Sequence, residues 1–179
     1  MAKTERRAID KVLIFLGVVT TLVLLAFGGI AWWGYHFATN QVKTELTSQS
    51  IYFPPKGSSA LDPAEFPGLQ KYAGQQVISG PEAKAYANEF IAVHLEKVAG
   101  GKTYAQVSTA ALANPTDQTL ATQKAVLFQG ETLRGLLLNA YAFWTFGNLA
   151  MYAAIASFVG AAVMALLVLA GLGHLSRKK

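Results

Sequence analysis

The chain has 179 residues, of which 53% are hydrophobic and only 14% charged, whereas soluble domains average about 25% charged residues. The deficit is concentrated in two apolar stretches, so the composition indicates a membrane protein with one modest polar domain. The net charge of +5 lies beside those stretches, which argues against nucleic-acid binding, and the lack of cysteine excludes disulfides and thiolate metal sites.

The N-terminal part of the chain predicts a cytoplasmic tail, residues 1–11, and a transmembrane helix, residues 12–36. Positions 12–35 hold no charged residue, and this run is long enough to cross a hydrocarbon core about 30 Å thick. A cleaved signal peptide is the alternative, but the apolar run is longer than such peptides use. Aromatic rings that favour the headgroup region end the run and are predicted membrane-interface anchors: Trp32, Trp33 and Tyr35.

The central part, residues 37–147, predicts an extracytoplasmic helical domain, because no segment alternates as a strand would. The first helix should continue outward to about residue 50, where a connection rich in proline and glycine begins. Helix start and stop signals then predict three more helices. They run from Pro81 to Gly100, over residues 102–114, and onward from Thr116 or Asp117.

The second apolar stretch, residues 135–175, is too long for one membrane span. About forty residues would form a helix near 60 Å, twice the thickness of the hydrocarbon core. We therefore divide the stretch between residues 147 and 148, and leave open whether the two parts form one continuous helix. An amphipathic interfacial helix over residues 131–147 would place Arg134 and Trp144 as anchors at the membrane surface.

The last part predicts a second transmembrane helix, residues 148–174, and a short cytoplasmic tail, residues 175–179. A third, shorter span is the alternative, and it would put the two chain ends on opposite sides. Both tails are short and basic, with net charges of +2 and +3, so the positive-inside rule favours two spans. We expect a plasma-membrane protein with both termini in the cytoplasm.

Small residues on both spans predict a helix-packing interface, because they let helix backbones approach closely in lipid. One interpretation is that the two spans pack on each other within the chain. The other is that this face docks on the membrane helices of a partner. The residues of the predicted interface are Ala153, Ser157, Ala161, Ala165, Gly28 and Gly29.

The histidines do not predict a metal site. His36 and His174 fall at opposite ends of the two spans, and the helical neighbours of His94 cannot ligate a metal or orient its ring. Familiar catalytic and phosphate-binding motifs are absent from the sequence. We therefore predict no catalytic residue, no metal ligand and no cofactor.

Aromatic residues of the central part allow a second interpretation, a pocket for a ligand. They could equally form the ordinary core of the domain. The residues of the possible pocket are Tyr86, Phe90, His94 and Tyr104.

The segments 80–108 and 127–147, with the second span, resemble a family of uncharacterised two-span membrane proteins from high-GC Gram-positive bacteria. The resemblance covers roughly half of the chain or more, with fixed order and spacing. It implies two spans and an outer helical domain. Related sequences are sometimes labelled aromatic ring-opening dioxygenase, and that label would imply a metal-dependent enzyme.

The predicted fold is all-α, with two transmembrane helices that carry a small extracytoplasmic helical bundle. The expected function is that of a non-catalytic integral membrane protein of the cell envelope, an accessory or scaffolding subunit. Its expected partners are the lipid bilayer and other membrane proteins or a second copy of itself, but not nucleic acid. The alternative function is extracytoplasmic binding of a lipid or of an aromatic small molecule.

Overall fold

The computed structural model describes residues 3–177, with side chains from residue 6 onward. Helix makes up 83% of the chain and the described part contains no strand, which confirms the predicted all-α class. Some predicted tail charges lie outside the described side chains: Lys3, Glu5, Lys178 and Lys179.

Residues 3–177 form five α-helices. In chain order they are α1 (Lys3–Gln49), α2 (Gly80–Ala85), α3 (Ala92–Ala99), α4 (Tyr104–Ala113) and α5 (Gln118–Arg177). Short 3₁₀ turns occupy Ser59–Leu61 and Pro67–Tyr72, and a π-helical segment, Tyr86–Ile91, joins α2 to α3 without a break. By length and composition, α1 and α5 are both able to cross a membrane.

The chain divides into two compact units. The central unit is Ala38–Thr145, and the paired-helix unit consists of residues 3–37 and 146–177. Both long helices contribute one end to each unit. The predicted continuation of the first helix to about residue 50 is confirmed, since α1 ends only at Gln49 and Ser50 follows with a φ of 52°.

The two parts of the second apolar stretch, divided between residues 147 and 148, lie on one continuous helix. Helix α5 runs unbroken for 60 residues through Gly147 and Asn148. A single interior glycine costs a helix only about 1 kcal/mol relative to alanine, and no proline occurs to force an end. The boundary between the two units nevertheless falls close by, after Thr145.

Local signals explain where the helices of the central unit begin and end. The Glu82 carboxylate accepts hydrogen bonds from the backbone N–H groups of Ile78 and Ser79, at 2.8 and 2.9 Å. The Asp117 carboxylate likewise accepts a hydrogen bond from Leu120 N at 3.0 Å and starts α5. Gly100 ends α3 in the left-handed conformation, with a φ of 58°, as the sequence predicts.

The connection between α1 and α2 is ordered against the core of the central unit. Phe53 N donates to Gln75 O and Val77 N donates to Ile51 O, both at 2.9 Å, so two extended stretches pair briefly. Each element of the central unit contributes apolar side chains to one core. Its most buried members are Leu46, Phe53, Leu61, Leu69, Val77, Ala83, Ala87, Val107, Leu127 and Leu137.

Candidate functional site

The two helices of the paired-helix unit run antiparallel and fit together through glycines. A Cβ on Gly17 would lie 2.6 Å from Val168 Cγ2, and a Cβ on Gly28 would lie 2.8 Å from Phe158 Cε1. No real Cβ tolerates such a distance, so the approach of the helices depends on these glycines. At Gly29 a Cβ would meet nothing within 4 Å.

Part of the predicted packing interface therefore lies between α1 and α5 of the same chain. Ser157 and Ala161 are 7% and 2% exposed, and Gly28 is buried as well. Ala153 and Ala165 are only partly buried. The arrangement corresponds to the first interpretation of the small residues, in which the two spans pack on each other.

Large apolar side chains cover the outside of the paired-helix unit. In the most apolar stretches of α1 and α5, only 11% and 17% of the residues are buried. Leu22, Ile30 and Leu166, for example, are 61%, 68% and 67% exposed. The core helix of a soluble protein would be mostly buried. The exposed apolar surface of these two helices is compatible with a lipid bilayer.

The predicted anchors near residue 33 form a ring cluster on α1. The Trp32 ring lies 5.9 Å from the Tyr35 ring and 5.1 Å from that of His36. Trp33 stacks on Phe37 at 5.4 Å and is 65% exposed. Exposed amphipathic rings suit the headgroup region of a membrane. The anchor role of this cluster stays a prediction.

The other two predicted anchors make specific contacts within the central unit. The Arg134 guanidinium donates three hydrogen bonds. Nε donates to Ala87 O at 3.1 Å and Nη2 donates to Asn88 Oδ1 at 3.3 Å. Nη1 donates to Glu131 Oε2 at 2.8 Å. Ala87 O also accepts the backbone N–H of Ala92, five residues on. Arg134 thus connects α5 to the π-helical segment through hydrogen bonds.

Trp144 packs closely on Gly80, at the start of α2. A Cβ on Gly80 would collide with Cβ and Cγ of the Trp144 side chain. A Cβ on Gly130 would likewise collide with the Leu95 side chain, so α3 and α5 pack closely at this point. Nothing in the local sequence around Gly80 points to this distant partner.

The possible ligand pocket divides into two parts. The rings of Tyr86, Phe90 and His94 follow one another along the π-helical segment and α3, with centroids 4.9 and 4.5 Å apart. Phe53 and Phe66 pack against this row, at 5.1 Å from Tyr86 and 5.7 Å from Phe90. Tyr86 and Phe90 pack against the core, whereas His94 is exposed at the end of the row. Burial raises the pKa of the Tyr86 phenol.

Tyr104 contributes to a separate groove. Its ring lies 5.8 Å from that of Phe128, and the groove between α4 and α5 encloses about 290 Å³. Lys124 places one cation at this otherwise apolar site. Of the four residues of the possible pocket, Tyr104 alone lines this groove.

Each of the three histidines contacts different neighbours. His94 Nδ1 lies 2.9 Å from Phe90 O, which can only accept, so Nδ1 carries the proton of that hydrogen bond. His36 packs on Trp32, and His174 lines a groove of about 210 Å³ with Asp10. Among the side chains of residues 6–177, no three from His, Asp or Glu come close enough together to hold a metal ion.

Comparisons with protein families, with curated proteins and with solved structures gave no match to this chain. The resemblance to two-span membrane proteins stays a prediction.

Proposed function

We propose that the chain is an integral protein of the plasma membrane that crosses the bilayer twice. Both termini would lie in the cytoplasm and residues 37–147 would form an extracytoplasmic helical domain. The exposed apolar surface of the paired-helix unit supports the two crossings, because hydrocarbon would remove such a surface from water. The basic residues at both chain ends support the orientation.

We further propose that the protein has no catalytic role and acts as an accessory or scaffolding subunit of a membrane complex. One observation carries this proposal: the central unit exposes large apolar side chains that its own core leaves uncovered. Leu112, Phe128, Leu136 and Phe143 are 74%, 57%, 61% and 54% exposed. An uncovered apolar surface of this kind usually receives another protein.

Purification from native membranes in a mild detergent, without a crosslinker, tests this function. We expect the chain to migrate on native gels well above the mass of one 19.1 kDa chain in its detergent micelle. Replacing Leu112 and Phe128 by serine should reduce the particle to one chain, whereas the same change at Leu166, within the apolar surface of the paired-helix unit, should not. A lone chain in several detergents would contradict the proposal.

The second candidate function is binding of a lipid or an aromatic small molecule in the groove at Tyr104. The specific observation is the pair of aromatic rings, Tyr104 and Phe128, next to the Lys124 cation, a combination that suits an aromatic anion. Fluorescence titration with benzoate and with an anionic lipid would distinguish the two ligand classes. Lys124→Gln should weaken binding at least tenfold if this candidate is right.

A further inference from the structure

A groove between α1 and α5, within the paired-helix unit, has one polar end and is otherwise apolar. It encloses about 210 Å³, and Asp10 and His174 line its polar end. The rest of the wall consists of apolar side chains and glycines, among them Leu13, Ile14 and Leu167. The groove is smaller than the roughly 300–1,000 Å³ pockets that enclose drug-sized ligands, so it suits one part of a larger molecule.

The polar end of the groove lies at the proposed cytoplasmic surface of the membrane. Asp10 precedes the first predicted span, residues 12–36, and His174 ends the second, residues 148–174. Gly17 lines the groove seven residues beyond Asp10, which is roughly 10 Å deeper at 1.5 Å per residue. The groove therefore leads from the headgroup region into the hydrocarbon core, the two regions that a single phospholipid occupies.

The Asp10 carboxylate is available to a cation. It is partly buried, and among the side chains of residues 6–177 none forms a hydrogen bond or an ion pair with it. His174 lines the same groove without such a contact to Asp10, so a group that enters between them can bind both. A partly buried charge without a partner is unfavourable, and a cationic donor would supply a charge-assisted hydrogen bond.

From these observations we infer that the groove binds a phospholipid with a primary ammonium headgroup, of the phosphatidylethanolamine class. The inference rests on the proposed function, because only a chain that crosses the bilayer presents this groove to lipid. In the complex the ammonium donates to the Asp10 carboxylate, and a ring N–H of His174 donates to a phosphate oxygen. One acyl chain lies against Leu13 and Leu167.

The chemistry of the headgroup distinguishes this lipid from other common phospholipids. A choline headgroup has no N–H group to donate, and a glycerol headgroup has no cation for Asp10. Anionic lipids are attracted by Arg6, Lys11 and Arg177, which are exposed at the same end of the unit. However, their net negative charge would lie beside the Asp10 carboxylate. The groove therefore favours the ethanolamine headgroup over both alternatives.

Native mass spectrometry of the full chain tests the inference. The chain is purified in a mild detergent and mixed with equal amounts of dioleoyl phosphatidylethanolamine, phosphatidylcholine and phosphatidylglycerol. We expect one ethanolamine lipid per chain, retained roughly tenfold more than either other lipid, as one hydrogen bond to a charged group predicts. Equal retention of the three lipids reflects general coating of the apolar surface and overturns the inference.

Two pairs of variants locate the bound lipid. Asp10→Asn removes the charge that holds the ammonium and should reduce retention of the ethanolamine lipid roughly tenfold, whereas Asp62→Asn, in the central unit, should not change it. Leu167→Trp fills the groove and should also reduce retention. Its neighbour Leu166 is similarly exposed but does not line the groove, so Leu166→Trp is the matched control. Equal effects within either pair overturn the inference.

The remaining outcomes separate this inference from the proposed function. A preference for the glycerol lipid that Lys11→Gln abolishes would mean that the basic chain ends attract anionic headgroups, which overturns the ethanolamine site. No retained lipid in a chain that resists alkaline extraction, as when a protein covers the groove, overturns the site and retains the membrane location. A chain that alkaline buffer extracts contradicts the membrane location itself.

Discussion

The side chain of Arg134 binds the main-chain oxygen of Ala87, 47 residues earlier, at an Nε···O distance of 3.1 Å. That oxygen lies in the π-helical segment and also accepts the N–H of Ala92. A π-helical turn displaces carbonyls from the regular ladder, and such turns persist where tertiary contacts compensate. The contact gives Arg134 a structural role inside the central unit.

Arg134→Gln should destabilise the central unit by about 2 kcal/mol, because hydrogen bonds from a charged group to partly buried acceptors contribute about 1.5–3 kcal/mol. The Arg134 side chain is 25% exposed, so the contact is partly shielded from water. Denaturant titration in detergent measures the free energy of unfolding. Lys102→Gln, at an exposed position of the same unit, is the control, and equal midpoints for the two variants would contradict the role of Arg134.

Neighbouring glycines on α1 should respond differently to the same change. Gly28→Ala places a methyl group against the Phe158 ring and should weaken helix packing by about 1–3 kcal/mol, the usual cost of overpacking. Gly29→Ala meets open space and should be neutral. Steric trapping in bicelles measures the separation of the two helices, and equal effects at both positions would show that they do not pack as described.

Alkaline pH should destabilise the central unit partly through Tyr86. Burial raises the pKa of its phenol above the ordinary 10.0, so the folded chain holds the proton to higher pH than the unfolded chain does. The corresponding stability is fully present below pH 10.0 and is lost as the pH rises through the raised pKa. Unfolding measured at stepwise alkaline pH should show a shallower loss for Tyr86→Phe than for Tyr52→Phe, whose ring is 55% exposed. Identical slopes would disprove this account.

Removal of metal ions should leave the protein unchanged. The three histidines of the chain pack separately, and the described residues provide no ligand cluster. We expect dialysis against EDTA to alter neither the unfolding midpoint nor the particle mass. One equivalent of iron or zinc that disappears in His94→Ala would contradict this and would support the metal-dependent activity that the dioxygenase label implies.

Sequence patterns predicted the helical class and the two long apolar helices well, because both follow from local composition. Pro81, Gly100 and Asp117 marked real helix ends, since capping is decided within a few residues. The continuation of α5 past Gly147 could not be predicted from the thickness of a bilayer, because a helix can extend beyond the hydrocarbon core.

Contacts between distant segments were not predictable in the same way. The close contact of Gly80 with Trp144 depends on how distant segments pack in the folded chain. The hydrogen bond from Arg134 to Ala87 depends on the same packing. The π-helical turn at Tyr86–Ile91 has no sequence signature of its own and changes which side chains face the core.

The central claim, two membrane crossings with both chain ends in the cytoplasm, is tested most directly by cysteine labelling. Single cysteines replace Ala8, Lys56, Lys102 and Ser176, and intact cells are treated with a membrane-impermeant maleimide. The account predicts labelling at Lys56→Cys and Lys102→Cys, with Ala8→Cys and Ser176→Cys labelled only after lysis. Labelling of one chain end but not the other in intact cells would contradict it.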